Sequence, residues 1–138
     1  MNYDPKKVTV IVGGSVMTGF SPDSMIKAAR RTDKNTLTIG CQGEGTFCES
    51  ADDSAEVTLS LSHTSPSNSV LYDLYLAKKE FSFNVVDANA GGGDLGAAGS
   101  KCKIKTLPEF ERGKEIGKMD WVLLVADYEA AFKIPAGA

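Results

Sequence analysis

Residues 58–68 read Thr58-Leu59-Ser60-Leu61-Ser62-His63-Thr64-Ser65-Pro66-Ser67-Asn68, and they pass from a strand pattern to a helix start within a few positions. Apolar residues alternate with serine and threonine up to Ser62, which is the period-two pattern of a half-buried strand. Ser65 is a favourable N-cap, and Pro66 suits the first helical position because that position needs no amide donor. The stretch therefore predicts one helix docked onto a sheet.

The predicted helix covers residues 66–79. Val70, Leu71, Leu74 and Tyr75 recur at the spacing of a single helix face, and the other face is polar. Such a stripe is typical of a helix that rests on a core.

Short alternating segments predict antiparallel strands on both sides of this helix. Gly13-Gly14 is a two-residue hairpin turn, and Gly43-Glu44-Gly45 marks a second reversal. Residues 24–62 are therefore predicted to form long, mostly polar, antiparallel strands. Residues 24–31 have a helix-forming composition, but turn signals flank this strand-length segment, so we interpret it as a strand. The strand segments before the helix are 7–12, 15–19, 24–31, 35–40, 46–49 and 57–62.

The second half begins with a strand on Phe81, Phe83 and Val85. Residues 88–100 contain Gly91-Gly92-Gly93 and Gly96, and they are expected to form a flexible loop. Cys102 and Ile104 then alternate with lysines, and Pro108 ends that strand. Residues 119–128 are almost continuously apolar, which predicts a central strand covered on both sides.

These patterns predict a mainly β fold with one α-helix. Two antiparallel sheets would form a sandwich or partial barrel with the helix on its flank. The 138 residues suffice for a single domain with its own core. The terminal segments 1–6 and 134–138 are too poor in apolar residues to fold alone, so we expect arms that reach a neighbour.

The charge and the composition exclude several functions. A formal net charge of -3 argues against binding of nucleic acid through a basic patch. Residues 1–6 lack the regions of a signal peptide, and no apolar run approaches the ~18 residues that span a bilayer. We therefore expect synthesis in a cytoplasm and no membrane partner.

No catalytic or cofactor-binding group of residues is found. His63 is the only histidine and lies at a strand-to-helix junction, where a capping or surface role is expected. The segment Gly91-Gly92-Gly93-Asp94-Leu95-Gly96 lacks the lysine and hydroxyl residue that end a phosphate-binding loop. We expect no enzyme activity, no cofactor and no metal.

Five carboxylates cluster in the first half, and their spacing does not match a calcium-binding loop. Solvated loop charge is the simple interpretation. The functional alternative is a pore lining, where carboxylates would repel phosphate and keep DNA from adhering. These candidate lumen residues are Glu44, Glu49, Asp52, Asp53 and Glu56.

Three cysteines, Cys41, Cys48 and Cys102, are too few for a disulfide framework and wrongly spaced for a zinc site. Cys41 and Cys48 would point to opposite faces of an uninterrupted strand, but a tight reversal at Glu44-Gly45 would bring them opposite each other. We favour different neighbours for these two. Free thiols are the simple interpretation, but an odd number leaves at least one sulfur without a partner in its own chain, so bonds between subunits of a symmetric assembly outside a cell are an alternative.

The chain resembles the tail tube proteins of contractile-tailed bacteriophages over most of its length. None of the shared features is a catalytic signature, so the resemblance depends on their order and spacing. They are Tyr3-Asp4-Pro5-Lys6, Thr18-Gly19-Phe20, the bend at 40–45, Thr58-Leu59-Ser60-Leu61, Thr64-Ser65-Pro66-Ser67-Asn68, and Gly113-Lys114-Glu115 before Trp121.

The resemblance implies a structural subunit of the phage tail that stacks as hexameric rings. Each subunit would contribute strands, here within 24–62, to one continuous barrel around a wide channel. Its partners would be further copies of itself, the tail sheath, the tape-measure protein and the baseplate and terminator proteins, with DNA passing through transiently. Bonds between subunits through Cys41, Cys48 and Cys102 are a hypothesis, because the family does not in general depend on thiols.

Two other interpretations remain. The same fold serves as the tube of phage-tail-like injection or secretion devices, which would carry effectors instead of a genome. A β-sandwich that binds carbohydrate would need a row of exposed aromatic residues, whereas Trp121 lies in a buried-looking run and Tyr72 and Tyr75 lie on the helix.

Overall fold

The computed structural model describes residues 3–22, 25–90, 94–114 and 117–133. Within these ranges the chain forms ten strands, one α-helix and two short 3-10 segments. In chain order these are a 3-10 turn at Pro5–Lys7, β1 (Val8–Val12), β2 (Ser15–Val16), β3 (Ile26–Arg30), β4 (Asn35–Ile39), β5 (Gly45–Glu49), β6 (Ala55–Ser62), α1 (Ser67–Ala77), β7 (Phe81–Asp87), a 3-10 turn at Ala88–Ala90, β8 (Asp94–Thr106), β9 (Lys118–Val125) and β10 (Glu129–Lys133).

The strands form two antiparallel sheets. The larger sheet has the order β2-β1-β7-β8-β9-β6-β3, and β10 also pairs with β8. The smaller sheet consists of β4 and β5 alone. Among the described residues the larger sheet is open, since its order ends at β2 and at β3. The expected mainly β fold with two antiparallel sheets and one helix is confirmed.

The core lies between one face of the larger sheet and α1. Leu71 of the helix is fully buried, and Val70 and Leu74 pack beside it. The strands supply the remaining large buried side chains, which are Val10, Val12, Val57, Leu59, Leu61, Phe83, Cys102, Trp121, Leu123 and Val125. In β1, β7 and β9 the buried residues are every second one, because successive side chains point to opposite faces of the sheet.

The helix occupies Ser67–Ala77. It begins one residue later and ends two residues earlier than the predicted 66–79. Pro66 has helical dihedrals and no side-chain cap of its own, whereas the Ser65 hydroxyl accepts from the Ser67 N–H at 3.2 Å. The Ser65 hydroxyl therefore acts as predicted. Lys78 ends the helix in the left-handed conformation with φ of 56°.

The prediction that Tyr75 faces the core is wrong. Its side chain is 43% exposed and stacks on Tyr72, with 6.3 Å between the ring centroids. Position 75 lies at the margin of the apolar stripe, where a large ring reaches solvent.

The loop predicted at 88–100 is wrong from residue 94 onwards. Ala88–Ala90 is a 3-10 turn, residues 91–93 lie outside the described residues, and β8 already begins at Asp94. Gly96 pairs with Val86 of β7 and with Ala131 of β10. A segment rich in glycine forms a strand here because both of its edges find partners.

The strand β9 is central, as expected, since it lies between β8 and β6. It is not covered on both sides. Trp121, Leu123 and Val125 are buried, whereas Val122 and Leu124 on the other face are half-buried.

The N-terminal segment is held by its own chain. The Asp4 N–H donates to Asn89 Oδ1 at 2.8 Å, and the Asn89 amide donates to the Asp4 carbonyl at 3.0 Å. The predicted arm at 1–6 is therefore tied to the chain from Asp4 onwards. Residues 1–2 and the predicted arm at 134–138 lie outside the described residues.

Candidate functional site

A two-stranded ribbon extends from the larger sheet, and we call residues 35–49 the arm. At the base of the arm β3 pairs with β6 in the larger sheet, and within the arm β4 pairs with β5. The two pairs form one long hairpin that passes from the sheet into the arm. Two backbone hydrogen bonds span the junction, from the Arg31 N–H to the Ser54 carbonyl at 3.1 Å and from the Ser50 N–H to the Lys34 carbonyl at 2.7 Å. The antiparallel pairing expected in this region is observed, in strands of 5 to 8 residues.

The arm has two chemically different faces. Leu37 pairs with Phe47, and Ile39 lies on the same face, with exposures of 53%, 77% and 59% in that order. Thr38 pairs with Thr46 on the opposite face. Every strand residue of the arm is exposed, so no other part of the described chain buries its apolar face.

An ionic cluster braces the base of the arm. Asp53 Oδ1 lies 3.3 Å from Arg30 Nη1 and 3.3 Å from Lys34 Nζ, and Lys34 Nζ lies 3.4 Å from Glu49 Oε1. Arg30 also donates to the Asp52 carbonyl at 2.8 Å, and Lys34 donates to the Ser50 carbonyl at 3.1 Å. The two cations therefore bridge the strands where the backbone ladder is interrupted. We call Arg30, Lys34, Glu49 and Asp53 the brace.

Hydrogen bonds favour the charged forms of Asp52, Asp53 and Glu56. The Arg30 side chain, followed by Lys34, lowers the pKa of Asp53. Hydrogen bonds from Ser54 lower the pKa of Asp52. The hydrogen bond from Lys105 lowers the pKa of Glu56, whose carboxylate lies 2.6 Å from the Lys105 ammonium.

The five candidate lumen carboxylates do not form one cluster. Glu49, Asp52 and Asp53 meet at the base of the arm, Glu44 lies at its tip, and Glu56 lies on the uncovered face of β6. In the described ranges no group of three or more histidine, cysteine or acidic side chains is arranged to hold a metal ion. The lysine and arginine partners of these carboxylates were not predicted from the sequence. A signal was present, because opposite charges at 30–34 and 49–53 flank the same hairpin.

The three cysteines have different environments. Cys102 is 0% exposed in the core, so the prediction that it bonds to another subunit is corrected: its thiol does not reach the surface of this structure. Cys41 and Cys48 are exposed. The chain reverses over 40–44, and Cys48 lies opposite Thr36 rather than Cys41. The three residue steps from Cys48 to Gly45 already span about 10 Å along the arm, and Cys41 lies beyond them in the reversal, so the two cysteines are too far apart for a bond within the chain.

The residues considered for other functions have structural partners. His63 Nδ1 accepts from the Gly117 N–H at 2.9 Å. Trp121 is 2% exposed, and its Nε1–H donates to Asn68 Oδ1 at 2.9 Å, so its ring offers no platform for a sugar. Within the described ranges, the structure contains no apolar helix of the length that a membrane span requires.

The family comparison identifies a tail protein. A family model described as the bacteriophage PhiTE tail tube protein matches residues 6–132. Structural protein ORF10 of Pseudomonas phage KPP10 is 26% identical over 132 residues, which cover 88% of this chain and 76% of that relative.

Solved structures share the fold at low sequence identity. A chain of the native gene transfer agent virion has a TM-score of 0.63 at 10% identity, over 94% of this chain and 100% of that chain. The tube-terminating cap of the anti-feeding prophage has a TM-score of 0.62 at 16% identity, over 95% and 93%. A chain of the sheath-tube complex of the PVC extracellular contractile injection system has a TM-score of 0.61 at 16% identity, over 94% of this chain and 93% of that chain.

The structural likeness by itself shows only a common fold, whereas the family model covers most of the chain. Tail tube proteins are structural components of the phage tail rather than enzymes, and the resemblance found from the sequence is confirmed. The chain belongs to the bacteriophage PhiTE tail tube protein family.

Proposed function

We propose that this tail tube protein assembles into hexameric rings, and that stacked rings form a hollow conduit for the phage genome and the tape-measure protein. The arm is the observation that carries this proposal. An isolated two-stranded ribbon is at best marginally stable in water, and this one exposes an apolar face and two free edges. Contact with further copies in a closed ring would cover both.

The two faces of the arm suggest their orientation in the ring. The apolar face, with Leu37, Ile39 and Phe47, would lie against a neighbouring subunit. The opposite face carries Thr36, Thr38 and Thr46, which suit a water-filled lumen. Since Asp53 at the base of the arm is paired with cations of the same chain, a lumen lined by the threonine face would present hydroxyl groups and few unpaired charges, and DNA would pass without adhering.

The proposed partners follow from a place in the phage tail. The solved relatives include a sheath-tube complex and a tube-terminating cap. We extend this to the present chain and propose contacts with a tail sheath, a terminator and a baseplate. The subunits would be made and assembled in the host cytoplasm and then become part of the virion.

Electron microscopy of the purified protein tests the proposal. At high concentration we expect rings with six-fold symmetry and hollow rods, and rings of a different symmetry would correct the hexamer. A protein that stays monomeric at every concentration, with or without phage nucleating proteins, would refute ring assembly.

A matched pair of variants tests the role of the apolar face. Replacement of Leu37, Ile39 and Phe47 by serine should prevent ring formation while the larger sheet stays folded. The control replaces Thr36, Thr38 and Thr46 by serine on the other face, and it should assemble like the wild type. Equal assembly by both triple variants would show that the apolar face is not the interface.

A second candidate function is the tube of a phage-tail-like injection device. The likeness in fold to chains of two such systems favours it. A genome with capsid genes beside this gene, and nuclease-protected DNA in purified particles, would decide for a phage. Particles without DNA would decide for the injection device.

Disulfide bonds between subunits remain part of the proposal for Cys41 and Cys48 only. After release into an oxidising medium, two thiols of neighbouring subunits would each lose a proton and an electron to dioxygen and form one S–S bond. Non-reducing gels of purified particles, unfolded in an alkylating agent, should then show dimers or larger species. Monomer alone would refute the bond.

A further inference from the structure

The uncovered face of the larger sheet contains a cleft of about 300 Å³ at the base of the arm. Lys103 pairs with Leu124 across β8 and β9, on the face opposite the buried Leu123. The floor of the cleft is apolar and its rim is mostly basic. The floor includes Leu124 and Ala126, and the rim is formed by Arg31, Lys101, Lys103 and Glu80.

The rim carries an excess of positive charge. The lining contains three cations and one carboxylate, and in the described part of the chain neither Lys101 nor Lys103 makes an ion pair within 4 Å. The neighbouring Lys105, by contrast, is paired with Glu56. A partner that fills this cleft would bring an apolar group for the floor and a carboxylate for the lysines.

The tip of the arm has this combination. Residues 35–49 include two glutamates and neither lysine nor arginine, and Glu49 at the base is already paired with Lys34. Ile39 pairs with Gly45, the residue after Glu44, so an exposed apolar side chain and a carboxylate lie together at the tip. The tip and the cleft are thus complementary in charge and in polarity.

From this complementarity we infer that the arm tip of one copy, through Ile39 and Glu44, binds in the lysine-rimmed cleft of the next copy. The inference rests on the proposed tube function and names the contact that would build it. Tip and cleft are different surfaces, so the contact is head-to-tail, and such contacts propagate into rings or filaments. The tip of one arm would lie at the base of the next.

A charge exchange tests the contact. Glu44→Lys alone and Lys103→Glu alone should each raise the concentration at which rings form by about tenfold or more, because like charges then meet in the interface. The combined variant restores an opposite pair in every contact, and its assembly concentration should return to within about threefold of the wild type. Sedimentation velocity measures all three, and amide NMR spectra of the monomers verify the fold.

Charge controls separate this contact from a general effect of net charge. Glu111→Lys and Lys6→Glu change exposed charges that lie outside both surfaces, and they should assemble like the wild type. Wild-type assembly by both single variants would overturn the inference, leave ring formation intact and free the cleft for another protein such as a sheath. Failure of the combined variant to recover would overturn it as well. Failure of the wild type itself to assemble would instead refute the proposed function.

Discussion

Asn68 joins the helix to the sheet through three hydrogen bonds. Its side-chain amide donates to the Ser62 and Ser65 carbonyls at 3.0 and 3.1 Å, and its oxygen accepts from Trp121. Asn68→Ala should lower the free energy of unfolding by about 1–3 kcal/mol, because the buried indole N–H loses its partner. Urea denaturation measures the change.

Ser69 provides the control for this prediction. It is the next residue of the helix and is exposed, so Ser69→Ala should stay within about 0.5 kcal/mol of the wild type. If both variants were equally stable, Asn68 would not link the two elements.

The buried position of Cys102 makes its thiol less acidic and less accessible than an exposed one. Burial, followed by the charge of Asp127, raises the pKa of its thiol from 9.0 to about 11. In the native protein, maleimide should label Cys41 and Cys48 rapidly and Cys102 only after unfolding. Rapid labelling of three thiols in the native state would contradict the burial.

The same thiol gives a pH dependence with a defined sign. The unfolded chain loses this proton near pH 9 and the folded chain only near pH 11. The stabilisation is therefore complete below pH 9 and is lost progressively as the pH rises from 9 to 11. Cys102→Ala should weaken that alkaline loss, whereas Cys48→Ala on the exposed arm should leave it unchanged.

At the scale of elements, β8 depends on a close approach of two backbones. A Cβ at Gly96 would overlap the carbonyl oxygen of Val85 in β7. Gly96→Ala should therefore cost about 1–3 kcal/mol of unfolding free energy, since the strands must separate to admit a methyl group. Gly113→Ala is the control, because nothing lies within 4 Å of its Cβ position. Equal stability of the two variants would contradict the observed pairing.

The brace sets a pH dependence for the base of the arm. Arg30 and Lys34 lower the pKa of Asp53, so the stability that its ion pairs contribute is fully present above the ordinary pKa of 3.8. That stability is lost as the pH falls through the lower pKa of the folded state. At pH 6, Asp53→Asn should speed amide exchange at Arg31 and Ser50, whose N–H groups span the junction.

Asp33→Asn in the adjacent turn serves as the control for the brace. It should exchange like the wild type at pH 6. At low pH, where Asp53 is protonated, the wild type and Asp53→Asn should become alike. Unchanged exchange in Asp53→Asn at pH 6 would show that the brace does not hold the junction.

At the scale of the whole molecule, the arm and the larger sheet have separate roles. The Ser50 N–H donates to the Lys34 carbonyl at 2.7 Å, so a two-residue Asn-Gly turn can replace residues 35–49 between them. The free energy of unfolding of this armless variant should lie within about 1 kcal/mol of the wild-type value, because all strand residues that it loses are exposed. It should remain monomeric.

Calorimetry and sedimentation test the armless variant. A large loss of stability would show that the arm supports the fold of the single subunit. Rings formed without the arm would exclude it from the proposed interface. Either result would revise the division between a folding sheet and an assembling arm.

Sequence patterns predicted the local elements of this protein well. The hairpin at Gly13-Gly14, with positive φ at both glycines, and the helix start at Ser65 depend on a few adjacent residues. Alternation predicted β4 and β6, turn signals around a strand-length segment predicted β3, and the order of short features predicted the tail tube family. Each of these signals is written in the period or the turn chemistry of a short segment.

Only the tertiary structure decided how distant segments meet. Residues 94–100 form a strand because β7 and β10 supply edges and because Asp127 accepts from the Ser100 and Lys101 N–H groups. Likewise, packing alone determined that Cys102 is buried and that Asp53 has two cationic partners. A residue's partner across a sheet is absent from its own segment of sequence, so its burial, its charge balance and its pairing follow from the fold as a whole.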